Sequence, residues 1–127
     1  MKSSYLKNLL GLFLLMFAFS CTQNSGIYQE NNDSEYAKSE LKSATIENEI
    51  LVDKVISDSQ TAVDIAESIL FKIYGKKNIT KQRPYNVNLI DGYYIINGTL
   101  PKFSFGGTFL IIISSKDGKI IKLTHGK

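Results

Sequence analysis

The apolar residues of this chain change their period once, at Pro84, and that change confines the fold more tightly than any other feature. Before it, Ala62, Ile65, Ala66, Ile69, Leu70 and Ile73 recur at the spacing of one helical face, with Asp64, Glu67, Ser68 and Lys72 on the other. Ser57 with Gln60 three residues later is a capping-box pattern, Asp58 suits the positive end of a helix dipole, and Gly75 supplies a left-handed stop. The spacing therefore predicts one amphipathic helix of about four turns, followed by a loop over residues 76–83.

After Pro84 the pattern is that of strands. Tyr85, Val87 and Leu89 alternate with Asn86, Asn88 and Ile90, Asp91-Gly92 is a hairpin turn, and Tyr93 to Asn97 returns. Gly98-Thr99-Leu100-Pro101 breaks that strand, and Phe103-Ser104-Phe105-Gly106-Gly107 follows as an aromatic, glycine-rich loop. Thr108–Ser114 is the most apolar strand, Lys116-Asp117-Gly118 turns it, and Lys119–Thr124 closes the set with Ile121 and Leu123 facing one way. A helix laid across one face of such a sheet buries both apolar surfaces, so the expected class is α+β: one amphipathic helix packed on a four-stranded antiparallel sheet, over residues 57–127. The unbroken run Phe109 to Ile113 suits a strand covered on both faces, and the patch from Ile46 to Ile56, a second copy or a target protein is the expected cover.

The segments before the domain differ in character. Lys2 and Lys7 precede an apolar run from Leu9 to Phe19, too short for a bilayer that needs about 20 helical residues, and small Ser20 stands before Cys21. This is the arrangement of a secretory signal over residues 1–20, and Ala18-Phe19-Ser20-Cys21 resembles the lipobox of bacterial lipoproteins. That resemblance implies cleavage before Cys21, lipidation of its thiol and anchoring at an envelope membrane; it explains a single cysteine with no partner. Thr22-Gln23-Asn24 lacks the aspartate associated with inner-membrane retention, which favours the outer membrane. From Cys21 to residue 56 the chain is expected to be a polar tether, since up to about Ser43 it holds too little apolar surface to offset its ordering entropy.

Charge divides along the same line. Residues 22–60 hold three lysines against eight acids, whereas residues 61–127 hold nine lysines and Arg83 against four. A basic domain on an acidic tether suits an acidic protein partner or anionic headgroups, and an exported chain without aromatic–basic interleaving is not expected to bind nucleic acid.

Catalytic groups are scarce. His125 is the only histidine and reads as an exposed terminal residue, the domain's acids are Asp64, Glu67, Asp91 and Asp117, and the last two are turn residues before glycine. Gly106-Gly107 has no Lys-Ser/Thr after it and reads as a bulge or close backbone approach, not a phosphate loop. The expectation is a non-enzymatic protein with no cofactor and no metal. Tyr93, Tyr94, Pro101, Phe103, Phe105, Gly106, Gly107 and His125 form the candidate surface for a protein partner.

Taken in order, Ala62 with Ile65-Ala66-Glu67, Tyr74-Gly75, Arg83-Pro84-Tyr85, Asp91-Gly92, Gly98-Thr99-Leu100-Pro101, Gly106-Gly107, Asp117-Gly118-Lys119-Ile120 and His125-Gly126-Lys127 resemble the immunity proteins of polymorphic toxin systems, which have a nuclear transport factor 2-like fold. The likeness covers residues 58–127 and implies a protein that binds and neutralises a toxin domain. The family commonly carries tryptophan where this chain has Tyr94. At this length the architecture would be a reduced version of that fold, and PepSY or cystatin-like envelope modules that inhibit peptidases or support cell-wall proteins are the alternative.

Overall fold

The computed structural model describes residues 27–47 and 49–126, and falls into two compact units, one ending at Ile46 and the other beginning at Glu47. The expected signal segment and Cys21 lie outside the described residues.

Helix α1, Glu35–Glu47, stands where the sequence predicts an unstructured tether. It buries no residue, so tertiary packing does not hold it. Local bonds do: Ser34 caps it by accepting the Ala37 N–H on its hydroxyl, and Lys38 reaches Asp33 at 2.7 Å and Glu35 at 2.9 Å. The segment does bury little, and its cap and ion pairs are local interactions that favour a helix there.

Helix α2 spans Ser59–Tyr74. Its cap is Asp58, one residue later than the predicted Ser57, because the Asp58 carboxylate accepts the Thr61 N–H at 2.8 Å and the Thr61 hydroxyl at 2.8 Å. Ala62, Ala66 and Leu70 form the buried line at four-residue spacing; two alanines at its centre let the backbone lie close to the sheet. Ile73, predicted on this face, is 54% exposed; it stands in the last turn of the helix, one residue before its end. Gly75, at φ 86°, stops the helix with its N–H on the Phe71 carbonyl. The predicted loop then forms one short helix, α3, Lys76–Thr80, which drives Ile79 fully into the core.

Strands β1 (Asn86–Ile90), β2 (Tyr93–Asn97), β3 (Phe109–Ser114) and β4 (Ile120–His125) pair in sequence order, each antiparallel to the next. Asp91 and Gly92 both take positive φ, the requirement of a type I′ hairpin turn. The face toward α2 carries Tyr94, Ile96, Phe109, Ile111 and Ile113, all buried with Ile56, Leu70 and Ile79. Tyr85 meets Phe109 edge-on at 5.1 Å between ring centres.

In β4, Ile121 and Leu123 do not share a face as predicted. Ile112 pairs with Lys122 and Ile113 with Ile120, so Ile121 is the extra residue of a bulge and is exposed, whereas Leu123 packs against the core. The second face of β3 is half-covered at Leu110 and Ile112. The predicted cover does not come from residues 49–56, where Ile50, Leu51, Val52 and Val55 are exposed. Only Ile56 is buried, and it joins the α2-facing core. This segment is neither strand nor helix: the Val55 and Ile56 amides donate to the Lys116 and Ser115 carbonyls, fastening the irregular chain to the β3–β4 turn.

Candidate functional site

The loop between β2 and β3 is fixed at its base by a side chain that the sequence does not single out. Gln82 is buried just after α3; its Oε1 accepts the Phe109 N–H at 2.9 Å and its Nε2 donates to the Asn78 carbonyl. The Gln82 carbonyl accepts the Thr99 N–H at 2.9 Å, and the Thr99 hydroxyl donates to the Pro84 carbonyl at 3.0 Å. Gly98 passes so close that any Cβ on it would collide with the Gln82 side chain. One residue, through its side-chain amide and its backbone carbonyl, thus joins α3, the start of the loop and the start of β3.

The far side of the loop is held by the end of the chain. Gly126 donates its N–H to the Thr108 carbonyl at 3.0 Å, and a Cβ on Gly107 would overlap the Gly126 backbone. The sequence reading of Gly106-Gly107 as a close backbone approach corresponds to this contact at Gly107. His125 lies 3.1 Å from Gln82 Nε2 through its own Nε2, and its Nδ1 is 2.7 Å from the Gly126 carbonyl. The tautomer with its proton on Nδ1 satisfies both, donating to Gly126 and accepting from Gln82. Its ring also packs on Tyr74, 4.9 Å between centres. His125 is therefore a half-buried structural partner of Gln82 and not the exposed terminal residue of the sequence reading.

Between these two clamps the loop projects. Ser104 donates its N–H to the Pro101 carbonyl in a turn that holds Phe103 at φ 65°, and Phe103 and Phe105 are 99% and 101% exposed. A cleft of about 450 Å³ runs beneath, with Pro101, Phe105, Gly106, Gly107 and His125 on its walls beside Lys81. The structure therefore brings most of the candidate partner surface together.

Two of its tyrosines lie elsewhere. Tyr94 is 2% exposed and faces α2, so the intact domain cannot offer it to a partner; alternation along β2 puts neighbours on opposite faces, and the sequence alone does not say which is inward. Tyr93 is exposed at the other end of β2, in a cleft with Asp53, Lys54, Lys116 and Asp117. There the Ser114 hydroxyl and then the Lys119 N–H hold the Asp117 carboxyl below the usual carboxylate range.

A third cleft, about 600 Å³, separates α2 from β1. Glu67 accepts there from Tyr85 at 2.8 Å and from Arg83 through Nε at 2.9 Å and through Nη2. Burial and then the Glu67 contact push the Tyr85 hydroxyl up, and the same carboxylate holds the Arg83 guanidinium above its ordinary value. Among the described residues no group of three or more histidines, cysteines or acids is placed to hold a metal ion, and no helix is long and apolar enough to cross a membrane.

A family model described as NTF2 fold immunity protein matches residues 61–127, which contain all but the first two residues of α2, then α3 and the whole sheet. The Escherichia coli K12 protein YhhH, described as uncharacterized, is 27% identical over 82 residues, covering 64% of this chain and 65% of that one. Another, YbbC, also described as uncharacterized, is 24% identical over 132 residues spanning both chains in full. The chain thus spans just under two thirds of the length of the first and all of the second. No solved structure matches.

Proposed function

The chain belongs to the NTF2 fold immunity proteins, and we propose that it protects its cell by binding a toxin domain and covering the surface through which that toxin acts. The observation that carries this reading is the pair Phe103 and Phe105, fully exposed on a loop clamped on both sides. Leaving a phenylalanine in water forgoes about 1.5–3 kcal/mol of burial, and two such rings on a fixed loop have the form of interface anchors. Gln82, Gly98, Gly107 and Gly126 hold the loop in place before any partner arrives, which lowers the ordering cost of binding. The positive balance of residues 61–127 would steer an acidic partner toward this domain.

The action is by occlusion and involves no reaction of this chain. We propose further that Cys21 carries lipid and holds the protein at an envelope membrane, with the outer membrane favoured, so that the toxin is met on arrival. The test is contact between sibling cells. A strain lacking this chain should be killed by its parent, the full chain should restore survival, and Phe103→Ala/Phe105→Ala should not, although produced at the same level. Equal survival of all strains would remove the immunity reading for this chain.

A further inference from the structure

The two edges of the sheet differ. The β4 edge carries Lys122 and the bulge at Ile121, features that discourage another strand from pairing. The β1 edge has none of them: Asn86-Val87-Asn88-Leu89-Ile90 holds no charge, no proline and no bulge, and Leu89 and Ile90 are 53% and 56% exposed.

The register also says which backbone groups are free. Gly98 donates to the Phe109 carbonyl, so even-numbered residues of β2 bond toward β3 and odd-numbered ones bond toward β1. Asn86, Asn88 and Ile90 are therefore engaged with β2, and the N–H and C=O groups of Val87 and Leu89 point outward. Among the described residues no hydrogen bond reaches them. The side chains of the same two residues lie on the α2 side, where Val63, Pro84 and Val87 line the cleft between β1 and α2.

We propose that a second copy of this chain pairs with this edge, β1 antiparallel to β1 about a twofold axis at Asn88. In that register Val87 of one copy opposes Leu89 of the other, so the outward backbone groups exchange their bonds in both pairs. The exposed Leu89 of each copy then lies over the other's cleft beside Val87 and Val63. Knob and cavity are on the same surface, as a twofold interface requires. Neutrality of the strand means that two basic domains meet without opposing like charges. A single strand pair with one anchor per copy is at the small end of interface sizes, so association depends on concentration.

Asn88 faces Asn88 at a position where the backbone bonds point away, and a pair of that kind has its Cα atoms about 4.5 Å apart, within the reach of a disulfide. The test uses the full chain with Cys21→Ser, so that the introduced thiol is the only one. Under mild oxidation Asn88→Cys should form a covalent dimer on the order of ten-fold faster than Asn86→Cys, which lies on the same face but opposes Ile90 of the other copy. In sedimentation the otherwise unaltered chain should dimerise with concentration, and Asn88→Lys, which opposes two lysines, should remain monomeric with unchanged thermal unfolding. Equal cross-linking at both positions, or a monomer at every concentration, would overturn the proposal.

Discussion

Gly107 and Gly126 touch backbone to backbone, and a Cβ on Gly126 would stand 2.9 Å from the Gly107 Cα. This contact ties the end of the aromatic loop to the last described residue of the chain. Gly107→Ala would force the two segments apart, and overpacking of this kind costs roughly 1–3 kcal/mol. The expected result is a lower midpoint in urea unfolding, with faster amide exchange at Gly126, whose N–H bonds the Thr108 carbonyl. Unchanged exchange at Gly126 would show that the loop base does not rest on this contact.

Gln82→Ala leaves the buried Phe109 N–H without its acceptor. An unsatisfied buried donor costs about 1–3 kcal/mol, so the midpoint should fall clearly. Gln82→Glu keeps an acceptor for Phe109 but removes the amide donor to Asn78 and His125, and should recover only part of the loss. Thermal unfolding of the two variants side by side checks the order.

The aromatic residues divide into those that hold the fold and those available to a partner. Phe103→Ala and Phe105→Ala should each leave stability within about 0.5 kcal/mol of the parent, because neither ring touches the core. Tyr94→Ala should cost about 3–5 kcal/mol, as expected for emptying a buried aromatic site. Denaturant titration separates them, and loss of binding in Tyr94→Ala would therefore say nothing about the interface.

Two aspartates set the acid limb of stability. The Thr61 amide and then its hydroxyl hold the Asp58 carboxyl below its ordinary 3.8, and Ser114 with the Lys119 N–H does the same for Asp117. A carboxyl with a lowered folded-state pKa stabilises the fold above its unfolded value, and that contribution is lost as pH falls through the folded one. Stability should therefore hold from neutrality to about pH 4 and decline below it. Asp58→Asn keeps a capping oxygen but cannot titrate, so its acid decline should be shallower.

Much of this fold is legible in the residues because local chemistry decides it. Asp91-Gly92 fixes a two-residue hairpin, and the line Ala62, Ala66, Leu70 fixes which side of α2 meets the sheet. What escapes the sequence depends on long-range packing or on choices between near equals. Ser57 and Asp58 are both capping residues, and only the geometry selects Asp58. Tyr93 and Tyr94 are chemically alike and end on opposite faces. The burial of Ile79 and the role of Gln82 require knowing that the chain end returns beside α3, a contact between residues 82 and 125 that no local pattern encodes. The loop of Pro101 to Gly107 is legible as aromatic and glycine-rich, but its clamps are not.

The most direct test replaces Phe103, and separately Phe105, with a photoreactive phenylalanine in the full chain in its native host. Illumination should join both positions to one toxin protein, and mapping should place the cross-links on the surface through which that toxin acts. Cross-links that lead only to lipid or to this chain itself would contradict the claim that the exposed loop is the toxin-binding site.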